Sequence, residues 1–225
     1  MEVEKERSFT VEELERIALG NSHRQVYRVL KRTFDVCFSL CVLIVLSPVL
    51  LFIALVVWLD DPHGSPLFLQ ERVGLRGRTF RMIKFRSMYV DAEERLDELM
   101  DVNEKDGPVF KIREDPRVTR VGRFIRKTSL DELPQFWNVL VGDMSVVGPR
   151  PALPREVAQY TERDRLRLAV RPGITCYWQT RRNRDSISFA EWIDLDLLYV
   201  LKASLWTDLK LIIQTVGCVL TLQGE

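Results

Sequence analysis

Residues Val36 to Leu59, VCFSLCVLIVLSPVLLFIALVVWL, run for 24 positions without a charge. As one helix the stretch would reach about 36 Å at 1.5 Å per residue, which exceeds the hydrocarbon thickness of a bilayer. A buried core helix is the competing reading, and it does not account for so long an uncharged run. The stretch therefore belongs in a membrane. Ser47-Pro48 falls at its midpoint and breaks the hydrogen-bond ladder, because proline has no amide proton. Arg24, Arg28, Lys31 and Arg32 precede the run and put its N-terminal flank on the cytoplasmic side. The other flank opens with Asp60 and Asp61 and then supplies Arg72, Arg76, Arg78 and Arg81, so charge counting gives no gradient. Two topologies stay open on the residues alone: a bent helix that enters and leaves by one face, and a kinked helix that crosses.

The chain of 225 residues, 46% hydrophobic and 29% charged, can bury one good core and carry a small appendage. Its net charge of +1 hides local asymmetry, since residues 1–15 are acidic whereas 70–86 and 111–127 are rich in Arg and Lys. Those patches suit phosphates or anionic lipid, and each taken singly also reads as a solvated face. Cys37, Cys41, Cys176 and Cys218 show no C-x-x-C or Cys/His spacing, which fits a reducing compartment. Cys37 and Cys41 share a helical face and are expected to pack. His23 and His63 are too few and too isolated for a histidine metal site or a Ser/His triad. No phosphate-binding glycine loop of the P-loop or dinucleotide type is present, and no nucleic-acid partner is expected. Asp194-Leu195-Asp196 is similar to a D-x-D metal motif, but residues two apart on a helix do not share a face.

In chain order, residues 1–30 read as a helical extension with a Thr10/Glu13 capping box and a stop at Gly20, followed by the membrane segment, 31–62, and a domain over 63–225. PLFLQERVG and RTFRMIKFRSM flank a turn at Leu75-Arg76-Gly77, a hairpin signal. Alternation puts Arg81, Ile83 and Phe85 on one face, and Met82, Lys84 and Arg86 on the other, where Lys84 and Arg86 can reach an anionic ligand. Asp91–Asp101 is expected to form an acidic helix, GPVFKI a strand, and DPRVTRVGRFIRK a short helix presenting Arg117, Arg120, Arg123 and Lys127. A charged helix over Arg155–Arg167, the loop VRPGIT, an aromatic strand Cys176–Gln179 and two helices between Phe189 and Leu222 complete the chain. The last helix, with Trp206 near its start, suits either a membrane interface or core packing.

The chemistry concentrates in Thr128–Pro151, TSLDELPQFWNVLVGDMSVVGPRP. Asp131 and Glu132 follow a basic run and a helix start, and both settings favour the ionised carboxylate. That makes the pair suited to nucleophile or metal-ligand work rather than to acid catalysis. Ser129 with Glu132 also reads as a capping box, which needs no catalysis. Pro134, four residues into such a helix, would remove a donor and crowd the Leu130 carbonyl, a strain that a purely structural helix start does not require.

Together KRTFD, the Ser-Pro-broken helix, QERVG, KFRSM, GPVFKI, TSLDELPQ through GPRP, and VRPGIT resemble the bacterial sugar transferase family, the monotopic phosphoglycosyl transferases. The match covers roughly Lys31 to Thr215. The resemblance implies an α+β fold with a re-entrant helix broken at Ser47-Pro48, a small β-hairpin or sheet, and amphipathic helices at the cytoplasmic face of the bacterial inner membrane. It implies transfer of a sugar 1-phosphate from a UDP-sugar to a polyprenol phosphate, undecaprenyl phosphate by expectation, with release of UMP, as an opening step of surface-glycan synthesis. Asp131 is then the nucleophile and Glu132 its partner, with Mg²⁺ bridging phosphate oxygens and an Asp131 oxygen. Arg126, Arg150, Lys84 and Arg171 become candidates for holding the donor. Many members carry a large membrane domain ahead of this region, so the chain is expected to be a small member or to use a partner. A homo-oligomer is compatible with this reading. A non-catalytic membrane scaffold and a glycosyl transferase releasing UDP are the alternatives; the first leaves the Asp131-Glu132 pair unexplained, and the nucleotide product, UDP rather than UMP, distinguishes the second.

Overall fold

The uncharged run folds as two helices, α1 (His23–Val45) and α2 (Ser47–Asp60), whose axes bend by 63°. The computed structural model describes residues 23–104, 106–110, 112, 114–181 and 187–220; the Thr10/Glu13 capping box and the Gly20 stop lie outside them. Pro48 carries no amide proton for the Ile44 carbonyl, and the Ser47 hydroxyl donates to that carbonyl instead at 2.8 Å. The chain re-enters a helix at once because proline is tolerated in a first turn. No single described helix is long and apolar enough to cross a membrane, whereas the bent pair together meets that length and composition. α1 runs unbroken across residue 31. Cys37 and Cys41 share its face as expected, but that face is exposed rather than packed.

Strands β1 (Leu67–Val73) and β2 (Thr79–Phe85) pair antiparallel from Leu67 opposite Phe85 to Val73 opposite Thr79, the hairpin the sequence predicts. Its turn passes through Arg76 and Gly77, both at positive φ. Next come α3 (Arg120–Lys127) and α4 (Gln135–Val141), then β3 (Ser145–Val147). Two single-turn helices, α5 (Pro154–Val157) and α6 (Glu162–Arg165), lead to β4 (Gly173–Thr175), which pairs parallel with β3. Helices α7 (Phe189–Lys202) and α8 (Leu205–Leu220) close the order. The class is α+β.

Several local expectations give way to tertiary context. The charged helix over Arg155–Arg167 is cut in two, because Thr161 and Asp164 form a reciprocal capping box that starts a new helix. The acidic segment from Asp91 is a series of turns and a 3-10 stretch (Asp97–Val102), since closely spaced carboxylates repel on a helix and little apolar surface repays its formation. Among the described residues, 107–110 and 112 form no strand; the Val109 carbonyl is taken by the Asn103 side chain rather than by a sheet neighbour. Cys176 to Gln179 likewise forms a turn, because β4 ends at Thr175.

The main core joins Phe38 of α1, Met82 of β2, Val139 of α4, Val146 and Val147 of β3, Tyr199 of α7 and Leu211 of α8. A second cluster, Ile53, Val57, Phe85 and Ile125, packs α2 on the hairpin and α3. Polar residues of α1 fix it to this core. Arg32 donates to the Val139 and Leu140 carbonyls at the end of α4, at 2.6 and 2.8 Å, where a cation also suits the helix dipole. The buried Asp35 accepts the Val146 amide at 3.0 Å, and Lys31 pairs at 3.0 Å with Asp208 of α8. The KRTFD motif is thus a docking surface for the first helix.

Just past the end of β3 and at the start of β4, Gly148 and Gly173 meet backbone to backbone. A Cβ on Gly173 would lie 2.0 Å from the Gly148 nitrogen. Gly173→Ala is therefore expected to lower stability by about 3 kcal/mol, the upper end of overpacking costs. Gly217→Ala on α8, where an added Cβ meets nothing within 4 Å, is expected to leave stability equal or slightly higher. Denaturant midpoints of the detergent-solubilised chains test both, and an unmoved midpoint for Gly173→Ala contradicts the close approach.

Candidate active site

Asp131 and Glu132 lie on a 3-10 turn, Leu130–Glu132, between α3 and α4. The capping box expected of Ser129 is absent: its amide donates to the Arg126 carbonyl, and Glu132 faces Arg150 instead. Ser129 enters the turn at φ 56, a left-handed conformation uncommon for serine. The strain expected of Pro134 is also absent, because the helix is interrupted and Pro134 caps α4 from outside. The Leu130 carbonyl that its amide would have served accepts the Leu133 amide at 3.3 Å.

This turn borders a cavity of about 930 Å³, to which the hairpin contributes Arg72 and Lys84, α3 contributes Arg126, and the Gly-Pro-Arg-Pro turn contributes Arg150. The structure thus gathers Asp131, Glu132, Lys84, Arg126 and Arg150 in one space. Arg150 lies 3.5 Å from the Glu132 carboxylate, with its guanidinium 6.0 Å from the Trp178 ring centre. Burial, and next the nearby Arg72, push the Lys84 ammonium down to about 8 against the pull of Asp131. A half-buried cation cluster beside carboxylates is an arrangement that an anionic ligand completes.

Other sequence candidates are placed elsewhere. Arg171 does not line the cavity; it donates to the Gly142 carbonyl at 2.9 Å, beyond the end of α4. Arg86 lines it, but the guanidinium is held by Asp61 at 2.9 Å and by the Asp61 and Gly64 carbonyls. Arg117 is buried against Asp115 at 2.6 Å, and Arg120, Arg123 and Lys127 face outward. Asp194 and Asp196 point to opposite sides of α7, as helix geometry requires: Asp194 pairs with Arg163 at the surface, and Asp196 with Arg167 inside.

Sequence reasoning left Arg72, Arg167, Trp178 and Trp192 without a role, yet all four line the cavity. Arg72 was within reach, since alternation along β1 puts Phe68, Gln70 and Arg72 on one face, and Phe68 pairs with Lys84 across the hairpin. Its guanidinium is buried, and desolvation with the Arg150 charge lowers it to about 10. Among the described residues no cluster of three His, Cys, Asp or Glu side chains stands ready for a metal. The Asp131-Glu132 pair offers oxygen ligands alone. That suffices for a hard cation such as Mg²⁺, which keeps several waters and binds through one or two carboxylates plus substrate phosphates.

An α+β core with an acid pair beside a cavity lined by Arg72, Arg126 and Arg150 defines a class, and sequence comparison names it. The family model described as "Bacterial sugar transferase" matches residues 26–222, and the chain belongs to that family. It is 40% identical over 212 residues to the undecaprenyl-phosphate galactose phosphotransferase of Salmonella typhimurium, covering 91% of this chain and 43% of that one. It is 41% identical over 198 residues to the UDP-glucose:undecaprenyl-phosphate glucose-1-phosphate transferase of Escherichia coli, covering 85% and 40%. With the exopolysaccharide production protein ExoY of Rhizobium meliloti it shares 38% identity over 206 residues, covering 90% of each. The chain spans less than half the length of several curated relatives it matches.

The lowered Lys84 pKa sets a sign for ligand binding: the ammonium is charged below about pH 8 and neutral above it. Affinity for UDP as a diphosphate probe is expected to fall roughly tenfold as pH rises through that value, the worth of one charge-assisted hydrogen bond. Lys84→Arg, permanently charged, is expected to keep its affinity to pH 10 in calorimetric titrations; identical profiles for both proteins contradict the assignment.

Proposed function

We propose that this chain transfers a sugar 1-phosphate from a UDP-sugar to a polyprenol phosphate, undecaprenyl phosphate by analogy with its named relatives, and releases UMP. The observation that carries this reading is the single cavity in which Asp131 and Glu132 sit with Lys84, Arg126 and Arg150. An Asp131 oxygen attacks the phosphorus that bears the sugar, the phosphoanhydride bond breaks, and UMP leaves with the bonding pair. The product is an acyl phosphate on Asp131. An oxygen of the prenol phosphate then attacks the same phosphorus and displaces the carboxylate, which yields a prenol diphosphate sugar and restores the enzyme.

Two anions must meet for either step, so the surrounding cations carry much of the catalysis. Lys84, Arg126 and Arg150 hold the diphosphate and offset the charge that accumulates on it. Glu132 holds the Arg150 guanidinium beside the nucleophile. The Asp131 carboxylate would hold Mg²⁺, which would supply Lewis-acid neutralisation of the phosphate charge.

The acceptor reading draws support from the surface. Leu51, Phe52 and Trp58 of α2, Ile44 and Val45 of α1, Trp137 and Val141 of α4, and Trp206, Ile213 and Val216 of α8 are all exposed. So much uncovered apolar surface on four helices fits immersion in lipid rather than water. We read the bent pair α1–α2 as re-entrant, entering and leaving by the cytoplasmic face, with α4 and α8 at the interface and the cavity on the side where nucleotide sugars are made.

The test is UMP release by detergent-solubilised protein supplied with UDP-glucose or UDP-galactose, Mg²⁺ and undecaprenyl phosphate. Repeated turnover is expected only when all three are present, with at most one UMP per protein when the lipid is left out, and Asp131→Asn is expected to lower turnover by on the order of 10⁴-fold while the chain stays folded. UDP in place of UMP, or full activity in Asp131→Asn, contradicts the reading.

A further inference from the structure

The Gly-Pro-Arg-Pro turn carries Arg150 to the dyad, yet it has little means of holding itself, because Pro149 and Pro151 contribute no amide protons. Its backbone is held from outside at each successive residue. The Gly148 amide donates to the Thr175 carbonyl at 2.9 Å, and the Pro149 carbonyl accepts the Gly173 amide at 2.9 Å. The Arg150 carbonyl accepts from Arg167 at 2.8 Å, and the Pro151 carbonyl from Arg72 at 2.9 Å. The Ala152 carbonyl accepts the Val73 amide at 2.8 Å.

Arg167 is the unusual member of this set. It is 3% exposed, its ion-pair partner Asp196 on α7 is fully buried at 2.5 Å, and its other terminal nitrogen donates to the Tyr160 hydroxyl at 2.6 Å. Among the described residues Asp196 has no aligned hydrogen-bond donor beside this ion pair. Burying such a pair costs more desolvation than a packed apolar pair of the same volume, so stability alone gives no reason for it. What the pair does in the fold is hold the main-chain oxygen of the residue whose side chain faces Glu132.

We infer that Arg167, clamped by Asp196 and Tyr160, is a positioning residue that sets where the Arg150 guanidinium stands. This rests on the reading that Arg150 serves the reaction. Arg167 acts through Arg150 and touches no reacting atom. A displacement of about 1 Å at Arg150 is enough to slow the step on the order of 10- to 100-fold. The slowing falls mainly on kcat, because the charge that Arg150 offsets grows in the transition state.

The experiment replaces the buried pair by apolar residues of similar bulk, Arg167→Met with Asp196→Leu, in the full chain. Such swaps commonly preserve stability, so the fold is retained while the hydrogen bond to the Arg150 carbonyl is lost. UMP release with UDP-glucose or UDP-galactose is compared for wild type, the double variant, Arg150→Ala, and the triple variant. The double variant is expected to lose 10- to 100-fold in kcat with KM for the donor changed less than about threefold, and the triple to be no slower than Arg150→Ala. A general structural defect would multiply with the loss from Arg150→Ala, and that outcome overturns the proposal. So does a double variant with wild-type kcat beside a slow Arg150→Ala, which removes the clamp and leaves the role of Arg150 standing. If Arg150→Ala itself turns over like wild type, Arg150 has no role to be positioned for and both claims fall. Should the double variant not fold, Asp196→Asn takes its place in the same cycle with the same expected and contradicting outcomes.

Discussion

The approach of Gly148 to Gly173 is the constraint on which the site depends. Here the end of β3 and the start of β4 cross with no space for a side chain on either residue. The crossing joins the segment that carries the acid pair to the segment that leads to Trp178. It also starts the Gly-Pro-Arg-Pro turn in the one direction that brings Arg150 within 3.5 Å of Glu132. From that point Arg72 and Arg167 continue the work with their guanidinium groups, each holding a carbonyl that no amide of the turn can reach.

A chain rich in arginine reads as uniformly basic, but its cations divide into those that tie elements of the fold together and those that stand beside the acid pair. Arg32, Arg86, Arg117 and Arg167 are committed to carboxylates or carbonyls of the protein itself, and they organise it. Lys84, Arg126 and Arg150 surround the space next to Asp131. The depressed lysine shows what that crowding costs in the absence of a ligand: burial and like charge both oppose the ammonium. A diphosphate is a fitting counterpart for such a cluster.

Much of this was legible in the sequence. The hairpin followed from two β-rich runs around a glycine turn, the closing helix pair from apolar spacing, and the bend from Ser47-Pro48. The gathering of Asp131, Glu132, Arg126, Arg150 and Lys84 followed from family resemblance joined to alternation along β2. What stayed hidden depended on contacts distant in sequence. Arg167 reads as one more charge on a surface helix, and only the packing of α7 shows that Asp196 waits for it inside. Arg171 was a donor candidate by family resemblance alone, and the fold places its side chain at the end of α4 rather than on the cavity. Segment 107–112 has the residues of a strand and no described neighbour to pair with.

In the proposed function the acid pair, cation cluster and apolar helices act together, a carboxylate taking the phosphosugar from a water-soluble donor and passing it to a lipid. Its central claim is the bond to Asp131. The most direct measurement is the intact mass of the detergent-solubilised protein after mixing with Mg²⁺ and a panel of UDP-sugars, with no lipid acceptor, beside Asp131→Asn. The account predicts that the wild type gains the mass of one sugar phosphate with its proper donor and that the variant gains none. The same gain on Asp131→Asn, or none on wild type with a donor that supports UMP release, would contradict it.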